Sequence, residues 1–267
     1  MRRKPAVAGI FYPADRESLM GWLEQAMDIT PKKLYDAKGV MVPHAGYIYS
    51  GKVAAAVYSS VITPDVAIIM GPNHTGLGTR GSIMTEGYWE TPLGSVKIDE
   101  TLAAAILNSS SVLQEDELAH LREHSVEVQV PFLQHMNPAI KIVPIVLFSL
   151  SYEEIEDVAG AIANSIKAAG EKVLIVASSD MSHYLPSYIA MEKDELALRE
   201  VLSLNPRGLI ETVKKYDISM CGYIPTAVML EASKMLGASM AELIAYSHSG
   251  EVSGEEPVVG YAGVVIY

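Results

Sequence analysis

The chain has 267 residues, 49% of them apolar and 19% charged, and its 32 acidic against 20 basic side chains give a net charge of −12. That composition excludes a disordered chain and supplies ample core material. The acidic balance, with no basic stripe and no aromatic stacking platform, excludes non-specific nucleic-acid binding, which needs Lys and Arg to displace phosphate counterions. Mean hydropathy is +0.21, and no run approaches the roughly 18 apolar residues of a membrane span. The N-terminal MRRKPAVAGIFYPADRE is broken by Pro5, Pro13 and Asp15 and lacks the apolar core of a secretory signal, so a cytoplasmic location is expected.

Taken in chain order, strands are expected at 39–42, 65–70, 82–85, 140–147, 172–177, 241–246 and 258–267. Runs such as VAIIM, IVPIVLF and KVLIVA are continuously apolar, the mark of strands buried on both faces. Between the strands lie helical patterns at 52–60, 100–107, 125–136, 152–169, 189–204 and 225–236. SIMTEGYWETPLGSVKID reads instead as short strands around Gly87 and Pro92–Gly94, a hairpin near one edge. No linker, repeat or low-complexity run divides the chain. The alternation predicts a single α/β domain over 1–267, three-layer αβα, with a largely parallel or mixed central sheet.

Open α/β sheets bind ligands beyond the carboxyl ends of their strands, so polar residues there are candidates for chemistry. GVMVP runs into His44 and HAGYIYSG; DVAIIMGPN runs into His74 and TGLG; KVLIVASS runs into Asp180 and His183. Any one of these histidines reads most simply as hydrogen-bonded structure, but three strand ends of one kind lower that reading. The glycines fit neither a dinucleotide fingerprint nor a P-loop. Cys221, the sole cysteine, precedes a helix pattern opened by Pro225, where a thiol can be held as thiolate. Two imidazoles and a thiolate would suit Fe(II), copper or zinc and leave positions open. Without a metal, Cys221, His183 and Asp180 could form a nucleophile site. His124 and Glu127, three apart on an expected buried helix, could present a pair of ligands or an acid and base. Structural pairing or exposure is expected for His120 and His135, and His248 is expected in a loop.

PAVAGIFYPAD, VPHAGYIYSG, GPNHTGLG, WETPLGSV, EHSVEVQVPFLQ, ASSDMSHY, MCGYIP and SGEVSGEEPVVGYAG, in this order over nearly the whole chain, resemble the MEMO family. The resemblance implies a fold similar to the class III extradiol dioxygenases, which use two histidines and a carboxylate to hold iron. By motif, His44 and His74 match the family's histidine positions, and Cys221 matches the cysteine that replaces the dioxygenase carboxylate. Asp180 and His183 match polar residues across the pocket, with His183 as the candidate acid or base and Asp180 orienting it. The resemblance also implies iron or copper binding in some members, phosphotyrosine-peptide recognition in eukaryotic ones, and association of prokaryotic ones with a radical-SAM protein and an AMMECR-type protein.

Two function classes follow. One is a metal-dependent redox enzyme on His44, His74 and Cys221, using Fe(II), or else copper or zinc, with a small-molecule substrate. The other is a non-catalytic module receiving a peptide or phosphopeptide, with Tyr47, Tyr49, Trp89 and Tyr184 as cleft walls and Arg80 and Arg122 as phosphate partners.

Overall fold

The computed structural model describes residues 1–267. The chain begins with β1 (Arg2–Arg3), α1 (Arg16–Met27), β2 (Gly39–Val42), α2 (Tyr47–Ser59), β3 (Val66–Pro72), β4 (Gly81–Ile83), β5 (Tyr88–Thr91) and β6 (Gly94–Ile98). It continues through α3 (Glu100–Ser109), β7 (Gln114–Glu115), α4 (Val130–Met136), β8 (Lys141–Leu147), α5 (Tyr152–Ala169), β9 (Val173–Ser178) and β10 (His183–Leu185). It ends with α6 (Ser187–Leu202), α7 (Pro206–Lys215), α8 (Tyr223–Met235), β11 (Ala241–His248), α9 (Gly250–Ser253) and β12 (Val258–Ile266).

The apolar runs form the middle of one mixed, mostly parallel sheet. β8, β3, β9 and β2 lie side by side and parallel, in that spatial order. Helices cover both faces, so every residue of β2 and β3 is buried. Beyond β2, β12 runs antiparallel and pairs with the edge strand β11. At the opposite edge the expected hairpin is present: β5 and β6 pair antiparallel, and β6 runs parallel to β8.

Two close approaches fix the helix layers. A Cβ on Gly39 would stand 2.5 Å from Met229 Sδ of α8, and one on Gly263 would stand 2.4 Å from Val57 Cγ2 of α2. α8 therefore packs directly on β2 from one side, joined there by α5, α7, α3 and α6. α2 lies on the other side with α1 and α4. The molecule is a single α/β domain with flanking helices, and none of those helices is long and apolar enough to cross a membrane.

Two helices went unread in the sequence although their starts are signalled. α1 is capped by Asp15, whose carboxylate accepts the Ser18 N–H, and it buries Leu19 and Leu23. α7 opens with Asn205 as cap and Pro206 in its first turn. The expected helix over 125–136 is shorter. Residues 127–129 form a 3-10 turn, and the α-helix starts only at Val130, followed by Pro131. His248 ends β11 and is not in a loop.

His120 is fully buried in this frame, its ring edge-on to Trp89 with centroids 5.9 Å apart, and neither ring nitrogen reaches a hydrogen-bond partner. It is neither paired nor exposed. Burial, helped by nearby Arg3, pushes its pKa from 6.5 to about 3. Between those values the unfolded chain binds a proton that the folded protein refuses, so stability falls as pH drops through the interval. The loss should reach about 5 kcal/mol at roughly 1.4 kcal/mol per pH unit. Urea unfolding of the parent and of His120→Leu should show similar midpoints at pH 7 and a shallower acid decline in the variant. Parallel declines would refute the assignment.

Candidate metal centre

The carboxyl ends of β2, β3 and β9 lie side by side, which brings their loops together as the sequence pattern requires. His44 is 2% exposed, and its Nε2 lies 3.1 Å from Cys221 Sγ. His44, His74 and Cys221 each offer one ligand atom, and these atoms lie within 4.8 Å of one another. Cys221 arrives from outside the parallel sheet, immediately before Gly222 at the start of α8. A Cβ on Gly222 would stand 2.4 Å from Ser178 O and from Ser179 Cβ, so only glycine lets the thiol come down onto the end of β9.

The tautomers of both histidines follow from their partners. Ser178 has one hydroxyl proton and gives it to the Ser125 carbonyl at 2.6 Å. Gln129 Nε2 donates to Ser178 Oγ and to the Pro43 carbonyl, both at 2.8 Å. The His44 Nδ1, 3.0 Å from the same hydroxyl, must therefore be the donor there. His74 Nδ1 likewise donates to Glu123 Oε1 at 2.8 Å, while Glu123 Oε2 accepts the His74 backbone N–H at 2.6 Å. In each ring Nδ1 carries a proton that is committed to its partner, and Nε2 is the nitrogen left without a carboxylate or hydroxyl behind it. A carboxylate or hydroxyl behind a histidine, with Nε2 free in front, is the arrangement found behind metal-ligating histidines.

The electrostatics agree. Burial drives His44 well below the ordinary histidine range, with the neighbouring His124 and His74 adding to it, so the imidazole stays neutral. Burial is the largest influence on Glu123 and works to raise it, but His74, the Ser125 N–H and His124 together outweigh it and hold the carboxyl at about 2. Burial pushes the Cys221 thiol well above its usual value, and Asp180 adds to the effect. That direction is opposite to the lowering expected for a thiol at the start of α8. In the metal-free protein the S–H donates to His44 Nε2, and a metal ion would displace that proton. Two imidazoles anchored through Nδ1 and one displaceable thiol proton fit a borderline-soft ion such as Fe(II), copper or zinc.

A family model described as Memo-like protein matches residues 3–265. The chain belongs to the Memo family. It is 43% identical to a MEMO1 family protein of Pyrobaculum aerophilum, with 99% of each chain covered. It is also 43% identical to one of Aquifex aeolicus over 98% of each, and 41% identical to one of Methanocaldococcus jannaschii, covering 99% of this chain and 98% of that one. An uncharacterized protein of Escherichia coli K12, solved by crystallography, shares the fold at a TM-score of 0.58 and 14% identity, with 86% of this chain and 99% of that chain covered.

Around this Memo-family centre the polar residues divide differently from the sequence reading. Asp180 does not orient His183. Its Oδ1 accepts the His44 backbone N–H at 2.7 Å, and burial pushes its carboxyl up to about 6. His183 is held by Ser219 instead, donating from Nδ1 to the Ser219 carbonyl at 2.9 Å and leaving Nε2 free. The Cys221 partner is His44, so a Cys–His–Asp nucleophile set built on His183 is not present.

His124 and Glu127 also part company. Glu127 is 1% exposed and pairs with Arg3 at 2.5 Å. His124 joins the metal-centre histidines, its ring stacked on His74 with centroids 4.6 Å apart and 5.4 Å from His44. Burial lowers His124 to about 4, against the pull of Glu123. Glu123 and His124 with His74 form a second group of close donors. Yet Glu123 already accepts three N–H groups, from His74 twice and from Ser125 at 2.9 Å, which marks it as a support for His74. Sequence reading passed over Glu123, and its only signal was a carboxylate beside His124 in REHS.

Of the aromatic residues expected to line the cleft, Tyr49 and Tyr184 are exposed. Tyr47 is core, its hydroxyl donating to the Val128 carbonyl, and Trp89 is core beneath Arg3.

Proposed function

We propose that this chain holds Fe(II), or else copper or zinc, between His44, His74 and Cys221, and acts as a metal-dependent redox enzyme on a small molecule. The observation that supports this most directly is the grouping of one donor atom each from His44, His74 and Cys221 within 4.8 Å of one another, with both imidazoles anchored through Nδ1. Bound there, Fe(II) or copper would supply one-electron chemistry and open coordination positions for substrate and O₂.

The protein's own residues do the rest. Ser178 and Glu123 orient the two imidazoles, and the Asp180 carboxylate fixes the backbone at His44. His183 is the residue for proton movement. Its Nδ1 proton is committed to Ser219, so Nε2 is the atom that accepts or returns a proton. Partnership with a radical-SAM protein and an AMMECR-type protein belongs to the same reading.

Of the two anchors named for the phosphopeptide alternative, Arg80 is engaged by Glu154 at 2.7 Å and by the Ser149 carbonyl at 2.9 Å, which leaves that reading with Arg122 alone. Protein purified without oxygen or chelators should carry near-stoichiometric iron or copper. O₂ uptake in a screen of catechol-type substrates should fall about a hundredfold in His183→Asn, within the usual range for loss of a general acid or base, while metal content is retained. A parent that neither carries nor takes up Fe(II), Cu(I) or Zn(II) would rule the reading out.

A further inference from the structure

The N-terminal segment reaches both arms of the metal centre. Arg3, 1% exposed although it is the third residue of the chain, lies with its guanidinium 4.1 Å from the centroid of the Trp89 ring. Its Nε donates to the His120 carbonyl and its NH2 to the Glu123 carbonyl, both at 2.8 Å. Its NH1 pairs with Glu127 at 2.5 Å and reaches the Lys4 carbonyl at 3.3 Å. Glu127 is fully engaged by the same segment, accepting Ala6 N–H at 2.8 Å, Val7 N–H at 3.0 Å and the Tyr12 hydroxyl at 2.7 Å. The segment then turns toward the other arm. The Phe11 carbonyl accepts the Tyr47 N–H at 2.7 Å, three residues after His44, and the Phe11 ring lies 4.8 Å from His124.

We infer that Arg3 and Glu127 are positioning residues of the metal centre. Together they clasp residues 120–127 so that the Glu123 carboxylate meets His74 in the one orientation that keeps its proton on Nδ1. A guanidinium suits this task because its fork can bind two carbonyls and a carboxylate at fixed angles, which an ammonium cannot. The pair is buried and therefore a poor source of net stability, so its value lies in fixing this register. The inference rests on the metal reading above for its consequence, though the tautomer can be measured without metal.

The test uses the full chain stripped of metal, with Co(II) as the probe and ¹⁵N shifts of His74 as the metal-free readout. Arg3→Gln should weaken Co(II) binding about 10- to 100-fold, the usual effect of losing an outer-shell partner, and should turn the single Nδ1–H tautomer into a mixture. Arg3→Lys should recover only part of the affinity. Arg2→Gln, whose side chain is 72% exposed and pairs with Glu90 at the surface, should change neither readout. If Arg3→Gln does not fold, Tyr12→Phe removes one donor to Glu127 and should weaken Co(II) binding in the same direction, by less than the roughly 10-fold lower bound for a lost outer-shell partner.

A lower melting temperature with unchanged Co(II) affinity and unchanged tautomer would mean that the clasp is merely structural, and would overturn the inference. A parent that binds no Co(II) would instead sink the metal reading, leaving the His74 tautomer in Arg3→Gln to decide the clasp on its own.

Discussion

Cys221→Ser is expected to lower Cu(I) affinity by about a hundredfold or more, because it exchanges the one soft donor of the set for a hard hydroxyl that does not ionise at neutral pH. The metal-free fold should survive the change. The thiol donates its one proton to His44 Nε2 at 3.1 Å, with the Asp180 carbonyl 3.7 Å from the sulfur, and a serine hydroxyl can make the same hydrogen bond. The two effects separate in a thermal melt. Metal at about a thousand times its dissociation constant stabilises a protein that binds only when folded by roughly 4 kcal/mol. The parent should show that rise with Cu(I), and Cys221→Ser should show almost none. Equal metal-dependent rises in both proteins would remove the cysteine from the centre.

The second large effect is expected at a residue that never touches the metal. Glu123→Gln keeps the size of the side chain and one carbonyl oxygen, but it sets an amide N–H₂ against either the His74 backbone N–H or its ring. Relief comes when the ring moves its proton to Nε2, which turns the metal-facing nitrogen from a lone pair into a donor. Outer-shell changes of this type cost about 10- to 100-fold in metal affinity. Titration calorimetry with Zn(II) should show that loss, and His74 ¹⁵N shifts should show the exchanged tautomer. Unchanged affinity would mean that His74 is oriented by something other than Glu123. The two substitutions make a useful contrast, since one changes the donor atom and the other only the direction in which a donor points.

Much of this molecule was legible before any coordinates. Continuous apolar runs between amphipathic helices identify a doubly covered, mostly parallel sheet, because only strands buried on both faces can dispense with alternation. The rule that open sheets bind at strand carboxyl ends then selects His44, His74, Asp180 and His183 from an otherwise ordinary set of polar residues. Ordered motifs over the whole chain identify the family. Local chemistry writes these features directly into short stretches of sequence, as do the Asp15 cap of α1 and the Asn205–Pro206 start of α7, although both helices were passed over.

What only the tertiary structure decided is how residues far apart in the chain are paired. Spacing suggested a His124–Glu127 pair, but the chain between them is a 3-10 turn, and a buried charge takes whichever opposite charge it can reach. For Glu127 that is Arg3, 124 residues away. Position beside a helix suggested a thiolate, but the Cys221 thiol is set by its surroundings in the packed chain, where His44 Nε2 and the Asp180 carbonyl lie against it. Asp180 and His183 are two residues removed from contact in sequence, yet one binds the His44 backbone and the other Ser219. Burial, tautomer and long-range hydrogen bonding are properties of the packed chain, which is why the candidate residues His44, His74 and Cys221 could be named from the sequence while the residues that hold them in place, Glu123, Ser178 and Arg3, could not.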